Sequence, residues 1–261
     1  MKTKETATII SQECLCPGIY SMRMAANIAK TASPGQFISV YSNNGARLLP
    51  RPISICETDG SSIRIVYRVA GAGTEEFSHM SEGDRIDILG PNGNGFFKAL
   101  REEVTSDTKA LLIGGGIGIP PMLELAKQLS KKCCVTVVAG YRNAEQTFLI
   151  QDLERYGKVY VATDDGSMGY GGTVIDAIRE NNITCDLMFA CGPKPMLAGV
   201  KKLSEDINRP AYVSMEERMA CGIGACLGCV CTTTDKDEHS KVNNKRVCVD
   251  GPVFAASEVV L

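Results

Sequence analysis

The 261-residue chain has little histidine, little aromatic content and little net charge, and each shortage excludes a class of protein. It has no tryptophan and only two histidines, His79 and His239, which lie outside any pattern for the paired ligands of a Rieske centre. A net charge of −2 gives no basic surface for nucleic acid or an anionic membrane. The longest apolar stretches, 110–123 and 135–141, are short or broken by glycine and proline. Neither could span a bilayer.

The start of the chain also lacks a hydrophobic signal core, since Met1 to Glu5 lead into a polar, strand-like segment. We therefore expect a cytoplasmic protein in a reducing compartment, where its twelve cysteines stay free or bind metal. Eight cysteines lie mostly in apolar runs, where a thiol usually acts as a small hydrophobic group. These eight are Cys14, Cys16, Cys56, Cys133, Cys134, Cys185, Cys191 and Cys231.

The remaining four cysteines form the most specific pattern in the chain. Cys221, Cys226 and Cys229 stand in the order Cys-x4-Cys-x2-Cys, and Cys248 follows across a polar loop. This is the plant-type ligand spacing for a 2Fe-2S cluster. The glycines between them would let a curled backbone turn its N–H groups toward the sulfur atoms. We therefore predict that these four cysteines are iron ligands.

Two other interpretations of the same cysteines remain. A zinc ribbon would need two Cys-x2-Cys knuckles, and only Cys226 and Cys229 form one. A thioredoxin-type dithiol would use that same pair but leave Cys221 and Cys248 without a role. Buried structural thiols alone would not explain the interleaved glycines.

Residues 1–100 are predicted to form a small antiparallel β-barrel, because several short β-type runs precede any long helical segment. Within Ser62–Val69 apolar and polar residues alternate as in a half-buried strand. The other runs are Ala7–Ile10, Phe37–Tyr41 and Arg85–Leu89. The segment Leu89–Phe96 is dense in glycine, proline and asparagine, and we predict that it is the loop leaving the barrel.

Two motifs in this barrel could bind a flavin nucleotide. In Arg51-Pro52-Ile53-Ser54 the guanidinium suits a diphosphate, and the hydroxyl can hydrogen-bond to a flavin ring nitrogen. The second motif is Val66-Tyr67-Arg68, followed by a glycine-rich turn that includes Gly73 and Thr74 and whose backbone N–H groups could hold phosphate. That turn, 71–74, could equally be an ordinary hairpin turn.

Residues 101–212 are predicted to form an α/β domain with a parallel sheet, because strand and helix patterns alternate there. The predicted strands are Ala110–Ile113, Val135–Gly140, Val159–Thr163 and Leu187–Cys191, and the predicted helices are Pro120–Leu129, Gly172–Glu180 and Pro195–Glu205. Such sheets bind ligands in the crevice outside the carboxyl ends of their strands.

The first of these strands ends in a glycine-rich loop containing Gly115, Gly116 and Gly118, which would let the diphosphate of NAD approach the backbone. A tight strand-to-helix turn is the alternative. Asp164 and the pair Cys191-Gly192 follow later strands, so we predict that they face the nicotinamide crevice.

The preference between NAD and NADP is left open by the sequence. An acidic residue about twenty positions past the glycines would favour NAD. Residues 133–144 contain none, and Arg142 is a side chain that could meet the extra phosphate of NADP.

An Arg-Pro-x-Ser barrel, a glycine-rich α/β domain with a Cys-Gly-Pro loop and a four-cysteine module at 213–261 follow one another in this chain. This order resembles the ferredoxin reductase-like superfamily, and more closely the electron transfer subunits of class B dihydroorotate dehydrogenase. The resemblance covers nearly the whole chain. Among its most specific parts are Leu89-Gly90-Pro91-x-Gly93-Asn94-Gly95-Phe96 and the run from Val247 to Phe254.

The resemblance implies an oxidoreductase subunit with FAD on the barrel, a nicotinamide site on the α/β domain and a terminal 2Fe-2S cluster. By position, Arg51 to Ser54, Val66 to Arg68, Gly73 and Thr74 would hold FAD. The implied partner is an FMN-containing catalytic subunit that oxidises dihydroorotate in de novo pyrimidine biosynthesis, in a heterotetramer with two copies of each chain. Electrons would then reach NAD⁺ without any side chain of this chain acting as acid or base.

Three alternatives to this function remain. The small subunit of a bifurcating ferredoxin:NADP oxidoreductase has a similar architecture, and Arg142 keeps it open. A stand-alone reductase with a diffusible acceptor would use the same cofactors without a tight partner. An adaptor stabilised by zinc would carry no flavin at all.

Overall fold

The computed structural model describes residues 2–236 and 241–261, so His239 lies outside the described residues. The strands are β1 Thr3–Cys16, β2 Ile19–Ala25, β3 Phe37–Val40, β4 Arg51–Thr58, β5 Ser62–Arg68, β6 Arg85–Asn92, β7 Lys109–Gly115, β8 Cys134–Tyr141, β9 Lys158–Thr163, β10 Tyr170–Gly171, β11 Leu187–Cys191, β12 Ala211–Ser214, β13 Val230–Thr232, β14 Asn244–Arg246 and β15 Val253–Ala255. The α-helices are α1 Ala72–Ser78, α2 Phe96–Ala99, α3 Pro120–Leu129, α4 Ile150–Glu154, α5 Val174–Glu180 and α6 Lys194–Asp206.

Strands β1 to β6 form a closed antiparallel barrel in the order β1-β2-β5-β4-β3-β6. The long strand β1 pairs with both β2 and β6, and this double pairing closes the barrel. Alternate side chains point inward, as the pleat of a strand requires. In β3, for example, Ile38 and Val40 belong to the barrel core, whereas Phe37 belongs to the core that surrounds the terminal cysteines.

The second sheet has seven strands in the order β10-β9-β8-β7-β11-β12-β15. All neighbours are parallel except β12 and β15, which are antiparallel. Helix α3 covers one face and helices α5 and α6 cover the other, so that successive residues of β7 enter different cores. Because both faces are covered, β7 and β11 are almost wholly apolar.

These two sheets confirm the predicted fold class of an antiparallel barrel, a parallel α/β sheet and a terminal cysteine-containing segment. Helix α3 has the predicted bounds, and Phe96 packs edge-on against Phe189 at the junction of the two sheets. The prediction that Leu89–Phe96 is a loop was wrong for its first half, because β6 continues through Gly90 and Pro91 to Asn92, and only residues 93–95 separate β6 from α2. Pairing of this segment with β3 overrides its glycine and proline content.

The limits 1–100, 101–212 and 213–261 stay a prediction. Strand β12 runs across the limit at 212, and β15 returns from the terminal segment to pair with it. Among the described helices, none combines the length and apolar character needed to cross a membrane.

Candidate functional site

The outer face of β4 carries two residues of the predicted flavin motif. Ile53 and Ile55 point into the barrel core, so the alternation of the strand turns Pro52 and Ser54 outward. Further along the same outer face, Cys56 packs in the core shared with helix α3. The outer face of β4 therefore looks toward the α/β domain, and a group bound there would lie between the two domains.

Arg51 and Gly73 are brought together at the end of this strand. A Cβ atom added to Gly73 would lie 2.1 Å from Arg51 Nε, so the guanidinium rests directly on the glycine backbone. Thr74 Oγ1 accepts a hydrogen bond of 2.9 Å from the N–H of Ala70. The hairpin-turn alternative for 71–74 is wrong, because helix α1 begins at Ala72.

The second flavin motif divides between three environments. Tyr67 lies inside the barrel, where its ring stacks on Tyr20 and its hydroxyl donates to Gln12 Oε1 at 2.9 Å. Burial raises the pKa of Tyr67 above its ordinary value. Val66 packs in the core shared with the α/β domain, and Arg68 is exposed. The side chain of Tyr67 therefore cannot reach a ligand outside the barrel, and this residue could contact one only through its backbone groups.

Arg68 reaches across to the glycine-rich loop of the α/β domain. A Cβ atom on Gly116, whose φ is +52°, would stand 3.5 Å from Arg68 Nη2. A cation on the barrel and a backbone turn on the α/β domain thus face the same crevice. This arrangement can hold an anionic group, because both a guanidinium and exposed N–H groups favour phosphate.

The glycine-rich loop also packs tightly against the Cys191-Gly192 turn. A Cβ atom on Gly118 would lie 2.2 Å from the carbonyl oxygen of Cys191, and one on Gly115 would lie 2.6 Å from Met196 Sδ. The contact follows from the sheet order, because β7 and β11 are neighbours and end at the same edge. Burial raises the pKa of the Cys191 thiol to about 12, although a hydrogen bond with the Ser214 side chain opposes the shift.

Asp164 lies in the loop after β9, next to the loop that carries Arg142. The N–H of Asp164 donates to the Tyr141 carbonyl at 3.1 Å, and the N–H of Asp165 donates to the Arg142 carbonyl at 3.3 Å. Strand pairing therefore places an acidic residue beside the loop that carries Arg142. The sequence identified Asp164 as a residue that follows a strand, but not its place beside Arg142, because the two loops meet only through strand pairing.

Backbone N–H groups surround the sulfur atoms of the terminal cysteines. Cys221 Sγ accepts from Ile223 at 3.5 Å, Ala225 at 3.3 Å and Cys226 at 3.4 Å, while Cys226 Sγ accepts from Gly228 at 3.4 Å. Burial by itself would raise the pKa of Cys221, but these hydrogen bonds outweigh it and lower the pKa to about 6. The loop is therefore built to stabilise negative sulfur.

The four thiols are arranged as two interacting pairs. The Cys226 side chain contributes to the lowered pKa of Cys221, and the N–H of Cys248 donates to Cys229 Sγ at 3.4 Å. Burial, followed by the neighbouring Cys229, raises the pKa of Cys248 to about 12. In the part of the chain that the structure describes, no group of three or more histidine, cysteine or acidic side chains is arranged to hold a metal ion as it stands.

This donor set fits a 2Fe-2S group better than a single metal ion. Two pairs of thiols can supply two ligands to each of two irons, and the surrounding N–H groups can donate to sulfur. Cys231 is the additional thiol, on β13 in the same core as Cys229 and Cys248. Burial raises its pKa.

The cysteine loop is seated on strand β3 of the barrel. A Cβ atom on Gly222, whose φ is +66°, would lie 2.7 Å from Ser39 Oγ. Ser39 pairs with Pro52 of the flavin motif on the adjacent strand. Two neighbouring strands therefore connect the two predicted sites. Strand β4 carries the predicted flavin motif, and strand β3 contacts the predicted cluster loop.

Sequence reasoning gave no structural role to three residues of this junction. Asn94 Nδ2 donates to the Val253 carbonyl at 2.7 Å, and its Oδ1 accepts from the Val253 N–H at 3.1 Å. Phe37 belongs to the same core as Cys229 and Cys248, and Ser39 contacts the cysteine loop. The glycines on both sides of Asn94 could have indicated that it has a structural role. Phe37 and Ser39 lie in a short strand whose sequence has no such feature.

Comparison with known proteins gives matches along the chain. Residues 216–260 match the iron-sulfur cluster binding domain of dihydroorotate dehydrogenase B, and residues 112–202 match the oxidoreductase NAD-binding domain. A curated relative from Geobacillus sp. (strain WCH70) is the electron transfer subunit of dihydroorotate dehydrogenase B (NAD(+)). It is 42% identical over 266 residues, which cover 100% of both chains.

Solved structures show the same fold. The NADH-dependent reduced ferredoxin-NADP oxidoreductase, studied for flavin-based electron bifurcation, has a TM-score of 0.84 and 27% identity, covering 97% of this chain and 89% of that chain. A flavohemoglobin from Malassezia yamatoensis with bound FAD and heme has a TM-score of 0.68 and 21% identity, covering 79% of this chain and 57% of that chain. At that identity, the second likeness concerns the fold alone.

Proposed function

The chain belongs to the family of dihydroorotate dehydrogenase B (NAD⁺) electron transfer subunits, and we propose that it carries electrons from an FMN-containing catalytic subunit through a 2Fe-2S cluster and FAD to NAD⁺. The observation that carries the proposal is the contact between Gly222 of the cysteine loop and Ser39 of the barrel, beside the Arg51–Ser54 strand. Proximity of this kind is what single-electron transfer between two bound groups needs.

When both groups are bound, a flavin exchanges a hydride with a nicotinamide and single electrons with a 2Fe-2S centre. The role of the chain itself is to bind the two groups and to orient them. Cys221, Cys226, Cys229 and Cys248 would hold iron, and the loop N–H groups would donate to sulfur. No side chain of this chain is needed as a general acid or base.

In the proposed flavin site, Arg51 and the start of helix α1 would contact the diphosphate, since the Arg51 guanidinium lies against Gly73 in the first turn of that helix. Ser54 on the outer face of β4 would hydrogen-bond to the flavin ring, beside Pro52. Val66 packs at the domain junction, so its backbone and that of Tyr67 would line the same crevice. Arg68 would complete the phosphate site.

The nicotinamide assignment uses the other wall of the crevice. Gly115, Gly116 and Gly118 would cradle the diphosphate, and the contact between Gly118 and Cys191 would place the Cys191-Gly192 turn near the nicotinamide ring. Asp164 would meet the adenosine ribose. An acid at the ribose favours NAD over NADP, because a carboxylate accepts from the 2′-hydroxyl and repels a 2′-phosphate.

The proposed partner is the catalytic subunit that oxidises dihydroorotate in the synthesis of pyrimidines, in a complex with two copies of each chain. A role in pyrimidine synthesis and the use of NAD⁺ are the grounds for proposing a cytoplasmic location. The name of the curated relatives supports the partnership.

The experiment is anaerobic co-purification of this chain with its catalytic subunit, followed by iron, sulfide and flavin analysis and an assay of dihydroorotate-dependent NAD⁺ reduction. We expect two irons and one FAD per copy of this chain, and orotate formation that requires both chains. A colourless chain without iron would instead support the zinc adaptor. Full activity of the catalytic subunit with NAD⁺ in the absence of this chain would also contradict the proposal.

A second candidate, the small subunit of a bifurcating ferredoxin:NADP oxidoreductase, is favoured by the coverage and TM-score of that structural match. The two differ in partner. Dihydroorotate-dependent reduction of NAD⁺ supports the first function, and reduction of ferredoxin coupled to NADPH oxidation supports the second.

A further inference from the structure

Ser39 and Asn92 form a buried polar pair between the barrel and the cysteine loop. Ser39 is 1% exposed and Asn92 is 0% exposed. Asn92 Nδ2 donates to Ser39 Oγ at 3.3 Å and to the Leu89 carbonyl at 2.9 Å. Neither residue belongs to the flavin, nicotinamide or cysteine motifs assigned above.

The hydrogen-bonding roles in this pair are fixed by chemistry. The Leu89 carbonyl can only accept, so the nitrogen of the Asn92 amide must face it. Ser39 Oγ accepts from the same nitrogen and still has its own proton to give. Among the described residues this proton has no acceptor, and Asn92 Oδ1 is the one buried side-chain nitrogen or oxygen with no partner at all.

The direction of the Ser39 side chain follows from its strand. Ile38 and Val40 point into the barrel core, and Phe37 belongs to the core that contains Cys229 and Cys248. Ser39 shares the face of Phe37, because side chains two residues apart lie on the same side of a strand. A Cβ atom on Gly222 would stand 2.7 Å from Ser39 Oγ, so the hydroxyl meets the chain one residue after Cys221.

A buried hydroxyl without an acceptor costs free energy. The neighbouring loop is the cysteine loop, whose backbone N–H groups donate to the sulfur atoms. We propose that Ser39 donates a hydrogen bond to a sulfur atom of the 2Fe-2S centre and that Asn92 is the positioning residue that turns the hydroxyl proton toward it. This inference rests on the proposed function. The bond stabilises the more negative, reduced state of the centre and so raises its reduction potential.

The test is an anaerobic redox titration of the holoprotein, followed by electron paramagnetic resonance of the reduced cluster. In Ser39→Ala we expect the ratio of reduced to oxidised cluster at a fixed potential to fall by about threefold to tenfold, the range of one hydrogen bond. A tenfold fall corresponds to about 59 mV for one electron. In Asn92→Ala the hydroxyl can rotate, and we expect a smaller shift in the same direction.

Ser62→Ala is the matched control, because Ser62 is equally buried, at 3% exposed, but lies on β5 and bonds to Asp59. It should leave the cluster potential unchanged. Where Ser39→Ala fails to assemble a cluster, Asn92→Ala decides the question by itself. An unshifted potential in the cluster-loaded variants would overturn the inference and would indicate a water bridging Ser39 to Asn92 Oδ1. Absence of iron from the unmutated protein would overturn the proposed function instead.

Discussion

The Glu124 carboxylate on helix α3 accepts a hydrogen bond of 2.9 Å from the backbone N–H of Thr58 in the barrel. Glu124 is 2% exposed, and its other partners are the side chains of Lys127 and Gln128 on its own helix. Lys127 also bonds to the Thr58 carbonyl at 2.5 Å. Helix α3 begins directly after the glycine-rich loop, so this contact connects the proposed nicotinamide loop to the barrel.

Removing this carboxylate should destabilise the protein. In Glu124→Ala the N–H of Thr58 loses its buried acceptor, whereas Lys127 keeps Glu57 Oε1 at 3.7 Å, and we expect the free energy of unfolding to fall by about 2 kcal/mol. Denaturant unfolding followed by circular dichroism measures the change. Glu205→Ala, at an exposed position of α6, is the control and should change little. Equal stability of the two variants would show that Glu124 contributes nothing to the domain contact.

The cysteine assignments predict a separation of iron from flavin. Cys226→Ala or Cys248→Ala should lose iron but keep FAD, because the flavin motif lies on β4 and shares no residue with the cysteine loop. Iron and flavin analysis measure both, and NADH should no longer reduce the partner through either variant. The control is Cys231→Ser, which should retain iron. Normal electron delivery through Cys226→Ala would defeat the proposed route.

The approach of the glycine-rich loop to Cys191 predicts a specific defect in nicotinamide binding. In Gly118→Ala the added methyl group would meet the Cys191 carbonyl at 2.2 Å, so one of the two loops must move. We expect the KM for NADH to rise about tenfold or more, as a misplaced binding loop would cause, while the flavin content stays normal. Steady-state reduction of an artificial acceptor gives the KM. Gly45→Ala, which meets nothing within 4 Å, should leave it unchanged.

Buried thiols predict that alkali destabilises the fold. Burial raises the pKa of Cys56 from 9.0 to about 12, so the folded state keeps this proton over a range in which the unfolded state loses it. The contribution is therefore complete below pH 9 and is lost as the pH rises toward 12. The slope from one such group is about 1.4 kcal/mol per pH unit.

The measurement is the free energy of unfolding between pH 9 and 11, compared between the unmutated protein and Cys56→Ala. The variant should show the shallower decline, whatever its stability at neutral pH. Parallel curves for the two proteins would mean that Cys56 does not titrate differently in the folded state.

The Gly222 contact predicts a requirement for glycine in the cysteine loop. Gly222→Ala adds a methyl group 2.7 Å from Ser39 Oγ at a φ of +66°, so the loop should fail to seat on β3. We expect iron content to fall by at least half, since strain at such a position costs about 1–3 kcal/mol. In the matched variant Gly228→Ala the nearest atom is Cys226 Sγ at 3.4 Å, and iron should be retained.

Sequence spacing alone was enough to predict the chemistry of this protein. The four-cysteine pattern, the glycine-rich loop and the alternation of strand and helix are properties of neighbouring residues, and helix α3 was predicted with its observed bounds for that reason. The two-residue period of Ser62–Val69 likewise predicted a strand, because one face of it is buried whatever its partners are.

Tertiary structure alone decided which distant residues meet. Packing of the cysteine loop on β3 places Ser39 against Gly222, and strand order places Asp164 beside Arg142 and Gly118 beside Cys191. Strand β15 could not be foreseen, because Val253–Ala255 becomes a strand only by pairing with β12. In the sequence Glu124 is one charged residue on a predicted helix. Only the packing of α3 against the barrel buries its carboxylate against the backbone of Thr58. These relationships depend on register and pairing across the chain, which local patterns do not encode.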